Sequence, residues 1–408
     1  MKSAADALVI GAGPAGAATA VLLARAGWQV VLVEQDDYPR RKVCGECIPA
    51  GTLAMLDDLG IGAGVRAHAG AELRHIGWMS DSPTLVADFP PCTHGPYRYG
   101  RALSRQYLDS LLVERARALG VLVVQPARAR VIRGGPGAYQ CTVDSGGRFP
   151  QRLQAAVIID AHGSWQRGPG DTPGRRRAAR RAQLPSDLFA FKAVFQDTRL
   201  PPGLLPVISL PGGYGGMVIA DQGQATLACC LRRDRLAHYR ALHRGLPVGE
   251  VVELLLRQSC AGVRESLQGS QRLGPWLTVG PLWPGVHPAT DDAVFRVGNA
   301  AGESHPLIGE GISMALQSAI LLAQELTRQP PAMTPRHAHE LQGRYARAWQ
   351  QAFSQRVRMA ALYAHVAMRP YLAAPARRIS ARWPALLTRA ARLAGKASSG
   401  YASISPGT

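Results

Sequence analysis

Residues 6–35 read "DALVIGAGPAGAATAVLLARAGWQVVLVEQ". Ala7–Ile10 is a short apolar strand, and Gly11, Gly13 and Gly16 make a Gly-x-Gly-x-x-Gly turn. Ala15–Ala26 consists of helix formers and stops at Gly27, a residue suited to the position just past a helix end. Trp28–Val33 is a second apolar strand, closed by Glu34. Each part has a physical task in a dinucleotide site. Gly11 permits the tight turn, Gly13 lets the backbone approach a pyrophosphate, and Gly16 lets helix and strand pack closely. The pyrophosphate then lies at the helix N-terminus, where unpaired N–H groups and the dipole favour negative charge. Glu34 is placed to accept from ribose hydroxyls. Such a glycine motif alone is weak; here the strand before it, the helix after it and the acid beyond supply the required context.

Residues 7–24 are also apolar and uncharged, preceded by Lys2, as in a signal peptide or membrane span. The three glycines and Pro14 interrupt the continuous Leu/Val/Ala run that either would need. No other stretch is long and apolar enough to span a bilayer. The chain has 408 residues, 47% hydrophobic and 18% charged, which implies about two domains with a large core. Seven scattered cysteines are an odd count unlike a secreted disulfide framework, so a reducing cytoplasm is expected. The net charge of +19 is almost all arginine, since the only lysines are Lys2, Lys42, Lys192 and Lys396. That balance suits nucleic acid, an anionic membrane or anionic ligands. No zinc-finger spacing, RNA-binding aromatic pattern or basic region with heptads accompanies it, so no nucleic-acid partner is expected.

Residues 36–50, "DDYPRRKVCGECIPA", follow Glu34 directly. Cys44 and Cys47 have the spacing of a redox pair or half a zinc site. A redox pair wants its first cysteine at a helix N-terminus, whereas here Gly45 and Glu46 intervene and Pro49 follows. Zinc needs more ligands, and no second Cys-x-x-Cys or His pair stands at metal spacing, so no metal is expected. Far downstream, residues 291–326 read "DDAVFRVGNAAGESHPLIGEGISMALQSAILLAQEL". A strand over Ala293–Val297 leads to Gly298-Asn299-Ala300-Ala301-Gly302, and Gly309 and Gly311 open another helix.

These motifs, with "RALSRQYLDSLLVERARALGVLVV" at 101–124 and "AAVIIDAHGSW" at 155–165, resemble the superfamily of p-hydroxybenzoate hydroxylases and flavin-dependent halogenases. Within it they look most like the geranylgeranyl reductase-like branch, which has a Cys-Gly-Glu loop beside the flavin and a Gly-Glu-Gly-Ile helix start. The resemblance covers most of residues 5–330. It implies an α/β fold: a Rossmann-like FAD-binding domain of the glutathione reductase-like type, an interleaved antiparallel β-sheet substrate domain and a C-terminal helical region. The expected boundaries are 1–75, 98–182 and 280–330 for the FAD domain, 76–97 and 183–279 for the sheet, and 331–408 for the helices. FAD would be held by Gly11, Gly13, Gly16, Glu34, Arg41, Cys44, Gly45, Arg105, Gly298, Asn299, Gly309 and Gly311. Two departures stand out: Asn299 replaces the usual Asp and loses a charge, and His162 replaces an Asp of the hydroxylases' NAD(P)H-linked motif. Electrons are therefore expected from an external donor such as NAD(P)H, a partner flavin reductase or ferredoxin.

Residues 188–231 alternate and break at glycines like an antiparallel sheet, the expected substrate wall. Lys192, Tyr214, His287, His305 and Glu310 are its polar candidates. Cys44, His305 and Glu310 are the expected catalytic residues, the last two because they sit between the flavin motif and its helix. The expected reaction is hydride transfer through FAD to a carbon–carbon double bond of a hydrophobic isoprenoid- or polyketide-like molecule. Hydroxylation of an aromatic or polyketide substrate, halogenation and non-catalytic electron transfer are the alternatives. Residues 167–183 read as a solvated Gly/Pro/Arg loop and residues 398–408 as a frayed end. Beyond Thr334 the chain is helical and arginine-rich, which packs on the core or lies against an anionic membrane.

Overall fold

The structure is a computed structural model that describes residues 5–147, 150–163, 184–287, 293–328 and 331–393. The loop 167–183 and the tail from 398 lie outside the described residues, so their expectations stay as stated.

The expected strand–turn–helix–strand unit is present as strand Ala5–Ile10, helix Pro14–Arg25 and strand Val30–Val33. Both strands are almost wholly buried, which is why they read as continuous apolar runs rather than alternating ones. They form the parallel centre of a seven-stranded sheet, flanked by Leu122–Val124 on one side and Gln151–Asp160 on the other. The long strand Gln151–Asp160 changes partner along its length. Its first half pairs antiparallel with Tyr139–Asp144, and its end pairs parallel with Phe295–Arg296.

Helix Pro14–Arg25 buries four alanines and Gly16 in its first two turns, which lets its neighbours approach closely there. Helices Arg105–Ala118 and Gly311–Leu326 pack on it, and all three share one core with Val9, Leu32 and Ile159. The opposite face of the sheet is covered by Tyr139, Cys141 and Val143 of the antiparallel hairpin.

The second sheet has eight strands. Its centre is an antiparallel run in the order Leu188–Gln196, Ala225–Arg232, Gly213–Ile219, Leu204–Leu210. Strand His75–Met79 then adds in parallel and Leu85–Asp88 forms the edge, so an early hairpin is inserted into a late sheet. One face rests on helix Val248–Ser259 through Phe191, Phe195, Met217 and Leu227. The other face looks toward the nucleotide-binding half.

The C-terminal region joins the two. Helix Pro335–Ala367 buries Ala338, Leu341, Tyr345, Trp349, Phe353 and Val357, a three-to-four spacing that marks one stripe. These side chains belong to the first core, whereas Ala364 and Ala367 at its far end pack with Tyr214, Cys230 and Leu282 of the second sheet. Thirty-three residues span about 50 Å, long enough to touch both. Helices Pro370–Arg382 and Ala385–Ala391 then turn back over the second sheet, where the Thr388 hydroxyl donates to the carbonyl of Asp88 at 2.7 Å. Among the described residues no helix is long and apolar enough to cross a membrane.

Candidate functional site

Strand register builds the first part of the site. Ile10 lies opposite Val33 and opposite Asp160, so the chain leaves the sheet at one level at Gly11, Glu34 and Ala161. This is the carboxyl edge of a parallel sheet, where open α/β folds place their ligands. Gly11 has φ +100°, and a Cβ on it would sit 2.5 Å from the Ala161 carbonyl oxygen. A Cβ on Gly16 would lie 1.8 Å from the Gly11 carbonyl oxygen, so helix and turn touch only because no side chain is there. A Cβ on Gly13 would meet nothing nearer than Arg105 Nη2 at 3.6 Å. The protein alone leaves Gly13 room, and the glycine therefore points to a ligand that needs the space.

Charge is arranged around this turn. The Ala12 amide donates to Glu34 Oε2 at 2.7 Å, and the Asp36 amide and Arg40 Nη1 donate to Oε1 at 3.0 Å. Arg105 makes two parallel 2.7 Å bonds to Asp109, which has no exposed surface. Burial works against the Arg105 charge, but Asp109 outweighs it and holds the guanidinium firmly protonated. Arg40 is held charged in the same way: burial opposes it, and Tyr38, Glu34 and Asp109 favour it. Arg41 lies elsewhere. It is exposed and donates to the Leu273 carbonyl at 2.9 Å, toward the second sheet. Two adjacent arginines point to opposite sides of the loop, and the sequence carries no signal for which is which.

The second nucleotide motif meets the first. Gly298 has φ +60°, and a Cβ there would lie 2.8 Å from the Ala15 side chain at the start of the first helix. Its amide donates to the Ser318 hydroxyl at 2.9 Å, and Asn299 beside it is half-buried. Gly309 has φ +61°, and Gly311 opens its helix with no atom within 4 Å of a built Cβ. Neither that helix nor Pro14–Arg25 has an acid in its first turn, so both N-termini can face an anion.

The Cys44–Gly45 loop is fixed from three directions through Glu46, which is left-handed at φ +59° and almost fully buried. Its carboxylate forms an ion pair with Lys192 and accepts from the Thr226 hydroxyl, both on the second sheet. It also accepts the Arg105 amide at 2.9 Å, at the start of that residue's helix. The Glu46 amide in turn donates to Cys44 Sγ at 3.3 Å. Lys192 is thus engaged by Glu46 and takes no part in the wall of the main cavity. Neither Cys44 nor Cys47 is in a disulfide, and no metal-ligand cluster occurs among the described residues.

Between the loop and the second sheet lies a cavity of about 550 Å³. Cys44, Gly45, Leu307 and Gly309 line one end, and Trp78, Val207, Ala228 and Cys230 the sheet side. Tyr363, Val366, Ile379, Leu386 and Leu387 of the C-terminal helices close the top. The polar groups are few. The Ser209 hydroxyl accepts Trp78 Nε1 at 2.8 Å, Glu303 is a buried carboxylate in the wall, and the Tyr214 hydroxyl is 3.1 Å from His305 Nδ1. Burial lowers the His305 pKa to about 4 and raises that of Tyr214, so both are neutral near pH 7. His305 lies behind Tyr214 rather than in the wall, and Glu310 faces the long helix, with Arg356 4.0 Å away. His287 is exposed, with its ring on the Trp283 carbonyl at 3.1 Å. Sequence reading missed Arg40 and Asp109 as neighbours of the turn and the tail as the roof of the cavity.

The glycine turn that a Cβ would fill, the carboxylate at the ribose position, the buried guanidinium and the second open helix N-terminus fit a flavin adenine dinucleotide. The comparisons agree. Residues 4–167 match the family described as FAD binding domain. A protein named menaquinone reductase from Mycobacterium tuberculosis is 34% identical over 129 residues, 31% of this chain and 30% of that protein. The match thus spans under a third of that relative. A protein of the same name from Mycolicibacterium smegmatis is 27% identical over 342 residues, 80% of this chain and 77% of its own. Among solved structures, a geranylgeranyl bacteriochlorophyll reductase-like protein from Thermoplasma acidophilum superposes with TM-score 0.69 at 16% identity, covering 96% of this chain and 99% of that one. The myxobacterial chondrochloren halogenase CndH gives TM-score 0.69 at 18% identity, covering 86% and 81%. Residues 4–167 are thus an FAD-binding domain, and the chain as a whole shares the fold of the flavoproteins it superposes on.

Proposed function

We propose that this FAD-binding protein is an oxidoreductase of the geranylgeranyl reductase-like branch that acts on a hydrophobic isoprenoid- or polyketide-like molecule. The observation that carries the reading is the cavity: about 550 Å³, apolar over most of its wall, running from the Cys44–Gly45 loop to the roof of C-terminal helices. When bound, FAD supplies hydride chemistry toward a carbon–carbon double bond. The chain's own residues do the rest. Trp78, Val207 and Ala228 with Leu386 and Leu387 hold an apolar body and exclude water. Tyr214, kept protonated by burial and paired with His305, places a neutral hydroxyl behind the wall, the polar group against which a polar end of the substrate would be oriented. The Lys192–Glu46 pair holds the Cys44 loop against the sheet. Electrons come from NAD(P)H, a partner flavin reductase or ferredoxin. The two relatives named menaquinone reductase make an isoprenoid quinone the first compound to try.

The test is anaerobic. Photoreduced protein is mixed with a short-chain isoprenoid quinone or enone, and flavin absorbance is followed. Reoxidation that saturates with the isoprenoid, with a reduced product, is the expected outcome. A long-lived absorbing species on mixing with oxygenated buffer, and oxygen or halogen in the product, would move the assignment to a monooxygenase or halogenase. Reoxidation only by a partner protein would make it an electron carrier.

A further inference from the structure

Residues 341–408 contain ten arginines and one lysine and no aspartate or glutamate. The structure shows where much of that charge goes. Helix Pro370–Arg382 turns Ala373 and Ser380 inward, where both are buried, and turns Tyr371, Arg378, Ile379 and Arg382 outward on one stripe. Helix Ala385–Ala391 buries Leu387 and Ala391 and leaves Arg389 exposed, followed by exposed Arg392 and Leu393. None of Arg378, Arg382, Arg389 and Arg392 has an ion-pair partner among the described residues.

Large apolar side chains share this face. Five of the twelve that the described residues leave exposed fall between positions 362 and 393, and three of them, Tyr371, Ile379 and Trp383, lie on or at the end of helix Pro370–Arg382. Tyr371 is 70% exposed and Trp383 59% exposed, the ring types that favour a surface wet on one side and apolar on the other. Ile379 is 49% exposed and also lines the cavity, so the cavity reaches the surface under this face.

We propose that the outer face of the two short C-terminal helices docks on an anionic lipid bilayer and that the apolar substrate passes from the bilayer into the cavity beside Ile379. The second half of this statement rests on the apolar-substrate reading above; the first does not. The occupant is a lipid surface because the face combines unpaired arginines with interfacial aromatics, the pairing that suits anionic headgroups over acyl chains. Association is peripheral, since no described helix is long and apolar enough to cross a membrane.

Flotation of the full-length, FAD-loaded protein with vesicles tests it. The protein should float with vesicles of equal phosphatidylglycerol and phosphatidylcholine, less so at high salt, and not with phosphatidylcholine alone. Each arginine near such a surface contributes about fivefold, so Arg378→Gln with Arg382→Gln should weaken partitioning by about twenty-five-fold. Tyr371→Ser with Trp383→Ser should weaken it at both salt concentrations. All four positions lie outside the cavity wall, so FAD content and turnover of a water-soluble short-chain isoprenoid should stay at the parent level. Turnover of a long-chain isoprenoid embedded in the vesicles should fall with flotation. No flotation, equal flotation with neutral vesicles, or variants that float like the parent would overturn docking. Embedded-substrate turnover unaffected by the variants would overturn delivery from the bilayer. A parent that floats as expected but turns over no isoprenoid leaves docking standing and removes the substrate reading instead.

Discussion

Glu34 reaches the amide of Ala12 across 22 positions of chain, whereas Glu46 meets Lys192 across 146 and Thr226 across 180. The same contrast runs through both halves. Around the nucleotide turn the parts lie within one strand–turn–helix–strand unit, and each has a residue type that only one geometry satisfies. Around the cavity the parts come from far apart: Trp78 meets Ser209 across 131 positions and Tyr214 meets His305 across 91. A locally built site is specified by its own segment. A site assembled from distant segments depends on every element that brings them together, and its residues carry no mark of their partners.

The sharpest way to break this comparison is at the distant pair. Lys192 and Glu46 are 2% and 1% exposed, and together with Thr226 and the Arg105 amide they satisfy each other. Lys192→Met leaves a buried carboxylate without its cation, an effect of about 3–5 kcal/mol on stability. Thermal and denaturant unfolding should show that loss, and Lys192→Met with Glu46→Gln should recover most of it. A single variant that loses under about 1 kcal/mol would mean the clasp does not hold the loop to the sheet.

A smaller effect sharpens the local half. Gly16→Ala places a methyl 1.8 Å from the Gly11 oxygen and should cost about 1–3 kcal/mol in the protein without FAD, with FAD binding weakened as well. Gly13→Ala meets only Arg105 at 3.6 Å and should leave cofactor-free stability within about 0.5 kcal/mol. FAD affinity should still fall, by at least about tenfold, because the methyl stands where the backbone must approach the pyrophosphate. Fluorescence titration with FAD and melting of the cofactor-free proteins separate the two glycines. Equal FAD affinity in the parent and Gly13→Ala would remove the pyrophosphate from that position.

How much could be read beforehand follows the same division. The glycine turn, Glu34, the helix at Gly311 and the antiparallel run from Leu188 were all visible as spacing or alternation. What stayed hidden needed a partner or a direction. Arg40 and Arg41 are neighbours with identical chemistry, and only the path of the loop sends one to Glu34 and the other to Leu273. Glu310 precedes a glycine helix start, yet it faces Arg356 of the long helix, an element whose position no local pattern gives. The stripe from Ala338 to Ala367 is legible as a helix face, but not that its end, with two shorter helices, roofs a cavity.

Cys44 stands at the boundary between the two kinds of site, and its substitution should have the smallest effect on stability. It belongs to the local loop after Glu34, but its place is set through Glu46 by the distant sheet. Ser at this position keeps an acceptor for the Glu46 amide and loses the polarizable sulfur, so Cys44→Ser should change stability by no more than about 0.5 kcal/mol. FAD should remain bound at the parent's stoichiometry. The flavin absorbance maximum and the rate at which reduced protein is reoxidised should both shift, because Cys44 lines the end of the cavity where the ring is expected. Cys47 also lines the cavity but is buried in a backbone pairing with Ala102, so Cys47→Ser should shift both readings less than Cys44→Ser does. If Cys44→Ser matches the parent in spectrum and rate, the Cys44–Gly45 loop does not run beside the ring, and the distant clasp holds a structural turn rather than a part of the flavin site.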